Sequence, residues 1–310
     1  MAKCENGLSV LEYPYVYAAW KVDPENHDRA FSERKVFSKE RRALEDYRLC
    51  GVYHKAGIPY EVTEINGWNH PELEPFQSIP LQLAEECEKA IRAGEKVLIP
   101  SGYCALAPAV VGGIQQAIGA DKKIGVLWVD AHCDNVIVEK TVRSDLRFVG
   151  IPLSTIAGQT MENWRKDYCR LEVPCAGENI IVSDGRCSDD ECLKNLRDAG
   201  ILRLDEAQFE DSACWKEQVE RLAERVDALF LMVDADIMNG SCIPAYFCPE
   251  PGGHDVSKVM ENIRIVMETG KVAAFACFCV DFDKYSEGGD TTYLNGMRVI
   301  GAGLEAWKGK

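Results

Sequence analysis

Two short segments concentrate the side chains that could do chemistry. The first reads Asp130-Ala131-His132-Cys133-Asp134 and the second Asp234-Ala235-Asp236. In extended chain, the i, i+2, i+4 spacing turns Asp130, His132 and Asp134 to one side, and Asp234 and Asp236 share that relation. Four carboxylates brought together repel strongly unless a counter-charge sits among them. Divalent cations supply it, and carboxylate oxygens with one imidazole suit an ion such as Mn2+. So many donors can hold two ions bridged by shared carboxylates. A water between two such ions ionises near neutral pH and attacks an electrophilic carbon. A lone D-x-D pair fits equally a strand-end turn whose Asp caps the next helix. The D-x-H-x-D triple with a second D-x-D favours the metal.

Both segments end apolar runs, at 124–130 and 228–233, and further runs occur near 8–13, 97–100, 180–183, 201–204 and 272–280. These are short and rich in β-branched residues, as strands buried on both faces are. Helix-like amphipathic stretches lie between them at 81–93, 106–118, 189–199, 214–225 and 256–268. The alternation predicts a mostly parallel sheet with helices on both faces, in one domain spanning 1–310. Ligands in such folds bind beyond the carboxyl ends of the strands, where both acidic segments fall.

The rest of the composition mostly excludes. With 35 basic and 50 acidic residues the formal charge is −15, which disfavours nucleic acid and anionic membrane as partners. No run of eighteen apolar residues suggests a membrane span. The opening Met1-Ala2-Lys3-Cys4-Glu5-Asn6-Gly7 is not the core of a signal peptide, so the expected location is cytoplasmic. The fourteen cysteines are scattered without zinc-ribbon pairing, and most are expected to be small buried hydrophobes.

The segments 127–134 and 233–236 resemble the two strand-end motifs of the ureohydrolases: arginase, agmatinase, formimidoylglutamase and hydroxyarginine amidinohydrolase. Ile243-Pro244-Ala245 and Pro249-Glu250-Pro251-Gly252-Gly253 look like the family's loop after the second strand, and 180–191 like its substrate-loop region. The resemblance implies a three-layer α/β/α sandwich around a mainly parallel, roughly eight-stranded sheet. It also implies two Mn2+ ions, one held by Asp130, Asp134 and Asp234, the other by Asp130, His132, Asp234 and Asp236. Asn135 falls where the family holds an amino-acid carboxylate, and Asp189 and Glu191 where it holds an α-amino group; all three are equally placed to start helices. The implied partner is a small cationic amino-acid-like substrate, and the implied assembly a homo-oligomer.

Three positions depart from the family pattern. Its sixth metal ligand, a His in a G-G-D-H-S segment, falls on Cys104 in Ser101-Gly102-Tyr103-Cys104-Ala105, as in the branch that hydrolyses Nω-hydroxyarginine. Cys104 is either a soft sixth ligand or a buried structural thiol. Val149 stands in the place of the proton-shuttle His. Cys279 stands in the place of the guanidinium-holding Glu, with Asp281 or Asp283 as carboxylates that could pair a planar cation instead. His254, after Gly252-Gly253, is either an acid, base or substrate contact at the mouth or an exposed loop histidine; His27, His54 and His70 are expected on the surface. The groups expected to act in catalysis are Asp134, His254 and Asp281. Three readings compete: a binuclear amidinohydrolase, a homologue that keeps the metal and has lost turnover, and nucleophilic chemistry at Cys104 or Cys279, for which no adjacent base is visible.

Overall fold

The computed structural model describes residues 7–13, 20–32, 41–144, 146–246, 250–280 and 289–307. Among these residues the strands are β1 (Leu8–Glu12), β2 (Trp20–Asp23), β3 (Asn26–Ser32), β4 (Tyr60–Glu64), β5 (Lys96–Ile99), β6 (Ile124–Asp130), β7 (Ile180–Asp184), β8 (Leu202–Leu204), β9 (Ala228–Asp234) and β10 (Val272–Phe278). The helices are α1 (Arg41–Leu49), α2 (Pro75–Arg92), α3 (Ala107–Ile118), α4 (Pro152–Ile156), α5 (Glu162–Asp167), α6 (Asp190–Ala199), α7 (Glu206–Glu210), α8 (Ser212–Arg225), α9 (Val256–Glu268) and α10 (Gly289–Ala306). Strands β2 and β3 form a separate antiparallel hairpin. The other eight make one sheet in the order β4-β1-β5-β10-β9-β6-β7-β8, and every pairing in it is parallel.

Alternation along the strands separates two cores. On β9, Phe230 and Met232 pack with Leu83 of α2, Val110 of α3 and Trp164 of α5. Leu229, Leu231 and Val233 pack on the opposite face with Trp215 of α8, Ile263 of α9 and Leu304 of α10. Burial on both faces is why these strands are continuously apolar, and each large side chain so buried contributes about 1.5–3 kcal/mol. Asp130 and Asp234 continue the alternation on the side of Trp128 and Met232.

Helix α2 begins at Pro75, six residues before the amphipathic stretch read from the sequence, with Glu74 and Gln77 closing a capping box. It also contains Pro80, whose missing N–H leaves the carbonyl of Phe76 without its helical donor. The Trp164 indole N–H supplies that bond at 2.7 Å, which is how the helix tolerates its proline.

The topology places the site. The chain leaves β5 and re-enters the sheet at β6, three places along, and β9 and β10 later fill the gap. Ile99 pairs with Ala276, Phe278 with Asp234, and Val233 with Val129. The carboxyl ends of β5, β10, β9 and β6 therefore lie side by side, at the kind of crevice where parallel α/β sheets bind ligands. No helix among the described residues is long and apolar enough to cross a membrane.

Candidate metal centre

Both acidic segments form turns rather than continuing as extended chain. β6 stops at Asp130, whose carboxylate accepts the backbone N–H of His132 at 2.7 Å. β9 stops at Asp234, whose carboxylate accepts the backbone N–H of Asp236 at 3.2 Å. Each first aspartate bends the chain through an i+2 hydrogen bond to its own backbone. This corrects the expectation of one extended face: turns bring the donors inward. A third bond, from the Ala131 N–H to the Asp236 carboxylate at 3.1 Å, ties the two turns together.

The donors fall into two groups. Asp130, His132 and Asp236 each offer one ligand atom, with all three atoms within 4.8 Å of one another. Cys104, Asp234 and Cys279 do the same. Asp134, buried and close enough to Cys104 and Asp130 for both to act on its carboxyl, has a left-handed backbone with φ 43°. His132 Nδ1 faces the carboxylates of Asp236 at 3.0 Å and Asp130 at 3.4 Å, while Nε2 meets Glu250 at 3.1 Å. A carboxylate on the outer nitrogen fixes the imidazole so that the inner nitrogen can ligate. The Tyr246 hydroxyl lies 3.3 Å from both Asp234 and Asp236.

Electrostatics show the charge this arrangement lacks. Burial first, and then neighbouring carboxylates, push Asp130 and Asp234 far above the ordinary carboxyl range. Burial raises Asp134 to about 7. Burial would raise Asp236 too, but the hydrogen bond and charge of His132 outweigh it and hold Asp236 low. Burial lowers His132, and its bonds to Asp130 and Asp236 reverse that, so its proton is held far more tightly than usual. The hydrogen bond with Cys279, then burial and the charges of Asp134 and Asp234, push the Cys104 thiol up; burial is the main cause that takes Cys279 to about 12. Among the described residues, one oxygen of Asp130 is buried without a hydrogen-bond partner. Such an atom costs about 1–3 kcal/mol when nothing meets it, and a cation fits it.

Other residues singled out in the sequence lie elsewhere. His254 is neither at an open mouth nor exposed: it is 2% accessible, with Nδ1 2.5 Å from Glu210 and Nε2 3.3 Å from Asp184. Asp189 caps α6 and, with Glu191, is already faced by a cation of the chain itself, Arg143. Asn135 is fully buried, and neither polar atom of its carboxamide has a hydrogen-bond partner among the described residues. Val149 offers only its carbonyl to the centre, accepting from Cys104 Sγ at 3.5 Å. Asp281 and Asp283 lie outside the described residues. His54 is exposed, and His27 and His70 are partly so. Of the described cysteines only Cys50 is exposed, and none of those described forms a disulfide.

Sequence reasoning missed Tyr246 and Arg186, and it gave Glu250 no role. Arg186 pairs with Asp184 and donates to the carbonyls of Asp236 at 2.7 Å and Pro251 at 2.8 Å. It thereby fixes both the second acidic turn and the loop that carries Glu250. The only signal for Glu250 was its place in a loop of recognisable pattern.

A parallel three-layer α/β fold with clustered carboxylates at its central strand ends defines the class. The arginase-family profile matches residues 39–301, and the chain belongs to that family. An arginase from Brucella melitensis is 21% identical over 195 residues, 62% of this chain and 62% of its own. A formimidoylglutamase from a Geobacillus strain is 23% identical over 163 residues, 53% of this chain and 45% of its own. The aligned region thus spans about three fifths of the Brucella arginases. Among solved structures, arginase from Bacillus caldovelox superposes with a TM-score of 0.75 at 17% identity, covering 96% of this chain and 97% of that one. Formimidoylglutamase from Bacillus subtilis gives 0.70 at 14%, covering 97% and 87%. Entamoeba histolytica arginase in complex with L-ornithine gives 0.75 at 15%, covering 97% and 98%.

Proposed function

We propose that the chain is a metal-dependent hydrolase that cleaves a C–N bond of a guanidine- or amidine-bearing amino acid, with Nω-hydroxyarginine preferred over arginine. One observation carries the reading: two adjoining donor groups converge at the carboxyl ends of four adjacent strands, and one of their oxygens has no partner among the described residues. The group of Asp130, His132 and Asp236 suits Mn2+ by donor chemistry, with Asp134 beside it. Bound ions supply an activated water and positive charge for the developing oxyanion.

The chain's own residues do the rest. Glu250 holds His132 in its ligating tautomer. The Tyr246 hydroxyl donates towards Asp234 and Asp236 and keeps their carboxylates aimed. Asp134, buried beside the donor groups, adds a further carboxylate to the centre. Val149 and His254 supply no free imidazole, since His254 is committed to Asp184 and Glu210. A substrate whose leaving group is only weakly basic depends less on protein-delivered protons, which favours the Nω-hydroxylated guanidine.

Cys279 in the place of the guanidinium-holding Glu favours a second reading, a relative that keeps the ions without turnover. A panel of Nω-hydroxyarginine, arginine, agmatine and formimidoylglutamate, assayed for ammonia and urea-type products after Mn2+ loading, separates the two. Turnover of hydroxyarginine well above the others is expected. No product from any, in protein shown to hold two ions, establishes the second reading. Asp234→Asn is expected to lose its ions on dialysis; retention of two removes the assigned site.

A further inference from the structure

The two donor groups differ in chemical softness. Asp130, His132 and Asp236 offer two oxygens and an imidazole, whereas Cys104, Asp234 and Cys279 offer two sulfurs and an oxygen. Thiolates favour thiophilic ions, and carboxylate or water oxygens favour the manganese class. Two matched Mn2+ ions therefore fit only one half of this centre.

The second half has the dimensions of a small tetrahedral site. Thiolate at about 2.3 Å and carboxylate at about 2.0–2.2 Å from a zinc-class ion place neighbouring donors about 3.5–3.8 Å apart. The three atoms here lie within 4.8 Å of one another. The buried carboxyl of Asp134 is near Cys104 and offers a further oxygen. The sulfurs come from adjacent strands, Cys104 from the turn after β5 and Cys279 from the residue after β10. Their loops are tied by the Cys279 N–H, which donates to the Gly102 carbonyl at 2.8 Å. Cys279 itself has a left-handed backbone with φ 59°. A non-glycine residue is strained there and persists where its surroundings impose it.

We propose that Cys104, Asp234 and Cys279 form a thiolate site for a thiophilic divalent cation of the zinc class, so that the centre holds two chemically different ions. This rests on reading the cluster as a metal centre and specifies which ion each half takes. Asp234 borders both halves, through Cys279 on one side and the Asp236 N–H on the other.

Cobalt(II) titration of the full, wild-type chain is the primary test, because it needs no variant to fold. The expected result is an intense near-ultraviolet thiolate-to-cobalt charge-transfer band. Loading with equimolar Zn2+ and Mn2+, followed by dialysis and elemental analysis, should leave one zinc per chain that manganese does not displace. Cys104→Ser and Cys279→Ser should each weaken zinc retention by at least the 10–100-fold, roughly, that lesser changes around a metal cost. Both should leave manganese at the other half. Cys50→Ser, at an exposed position, should change nothing. Cobalt bound without a charge-transfer band, manganese displacing zinc freely, or a Cys104–Cys279 disulfide in the metal-loaded protein would each overturn the proposal. A chain that binds no ion at all sinks the hydrolase reading as well, whereas ions bound through oxygen and nitrogen alone sink only this one.

Discussion

Two buried polar clusters sit at the carboxyl edge of the same sheet and solve opposite problems. At the end of β7, Asp184 pairs with Arg186 and His254, and His254 also meets Glu210. Two carboxylates face one guanidinium and one imidazole, so the charges cancel within the chain. At the ends of β6 and β9, four aspartates and two thiols face one imidazole. There the acidic groups outnumber the cations, and burial with neighbouring carboxylates pushes Asp130 and Asp234 far above the ordinary carboxyl range. A cluster balanced by its own residues braces the fold, while one left anionic waits for a charge from outside. Arg186 links them, because it donates to the Asp236 carbonyl while paired with Asp184.

The largest effect should come from unbalancing the brace. Arg186→Met leaves the fully buried Asp184 without its guanidinium, and breaking such a pair costs about 3–5 kcal/mol. Denaturant unfolding of metal-free protein checks this. A loss under about 1 kcal/mol would show that the brace is not the self-balanced cluster described.

Next in size is Glu250→Gln, which keeps the shape and removes the charge beyond His132. Metal affinity should fall by about 10–100-fold, with little change in the stability of the metal-free chain. Isothermal titration with Mn2+ measures the first and thermal melting the second. Unchanged affinity would place Glu250 outside the centre.

The sharpest contrast concerns sign. In the metal-free protein at neutral pH, Asp234→Asn should stabilise, because it removes a carboxyl that burial and its neighbours force to keep a proton on folding. The opposite sign, destabilisation as in the brace, would end the distinction between the two clusters.

The smallest effect is a pH dependence. Burial alone would lower His254, but its hydrogen bonds to Asp184 and Glu210 outweigh that and raise it. A histidine with a raised folded pKa contributes stability in full below its unfolded value of about 6.5 and loses it as pH climbs through the folded value. The stability gap between wild type and His254→Gln should therefore be widest below about pH 6.5 and narrow at higher pH. A gap that widens with pH would mean that the imidazole is neutral in the brace.

The strands were readable because burial on both faces leaves continuous apolar runs, and the acidic turns because two such runs end in spaced carboxylates. β4 escaped notice because Tyr-Glu-Val-Thr-Glu is a half-exposed edge strand without an apolar run. α10 escaped because glycines interrupt its pattern. A Cβ on Gly303 would come within 2.6 Å of Phe275, so a close approach to the sheet demands the residue that propensity reads against a helix. Cys279 was legible only as a mismatch, since nothing local says that the residue after β10 lands beside Cys104. Arg186, Tyr246 and Glu250 act through contacts 10 to 118 residues away in the chain, which no local pattern encodes. His254 looked like a loop histidine because both its carboxylate partners come from other elements.

The position of β10 carries a consequence for how the chain assembles. Without it the sheet is two pieces, β4-β1-β5 and β9-β6-β7-β8, and β10 alone pairs with both. Among the described residues it is also the last strand in chain order, ending at Phe278. A ribosome-bound chain can thus hold both half-sheets with exposed strand edges, and closure waits on the most distant pairing in the sequence, a slow and aggregation-exposed step. Closure also delivers Cys279 to Cys104 and Asp234, so the thiol half of the centre comes into being only when the fold is complete.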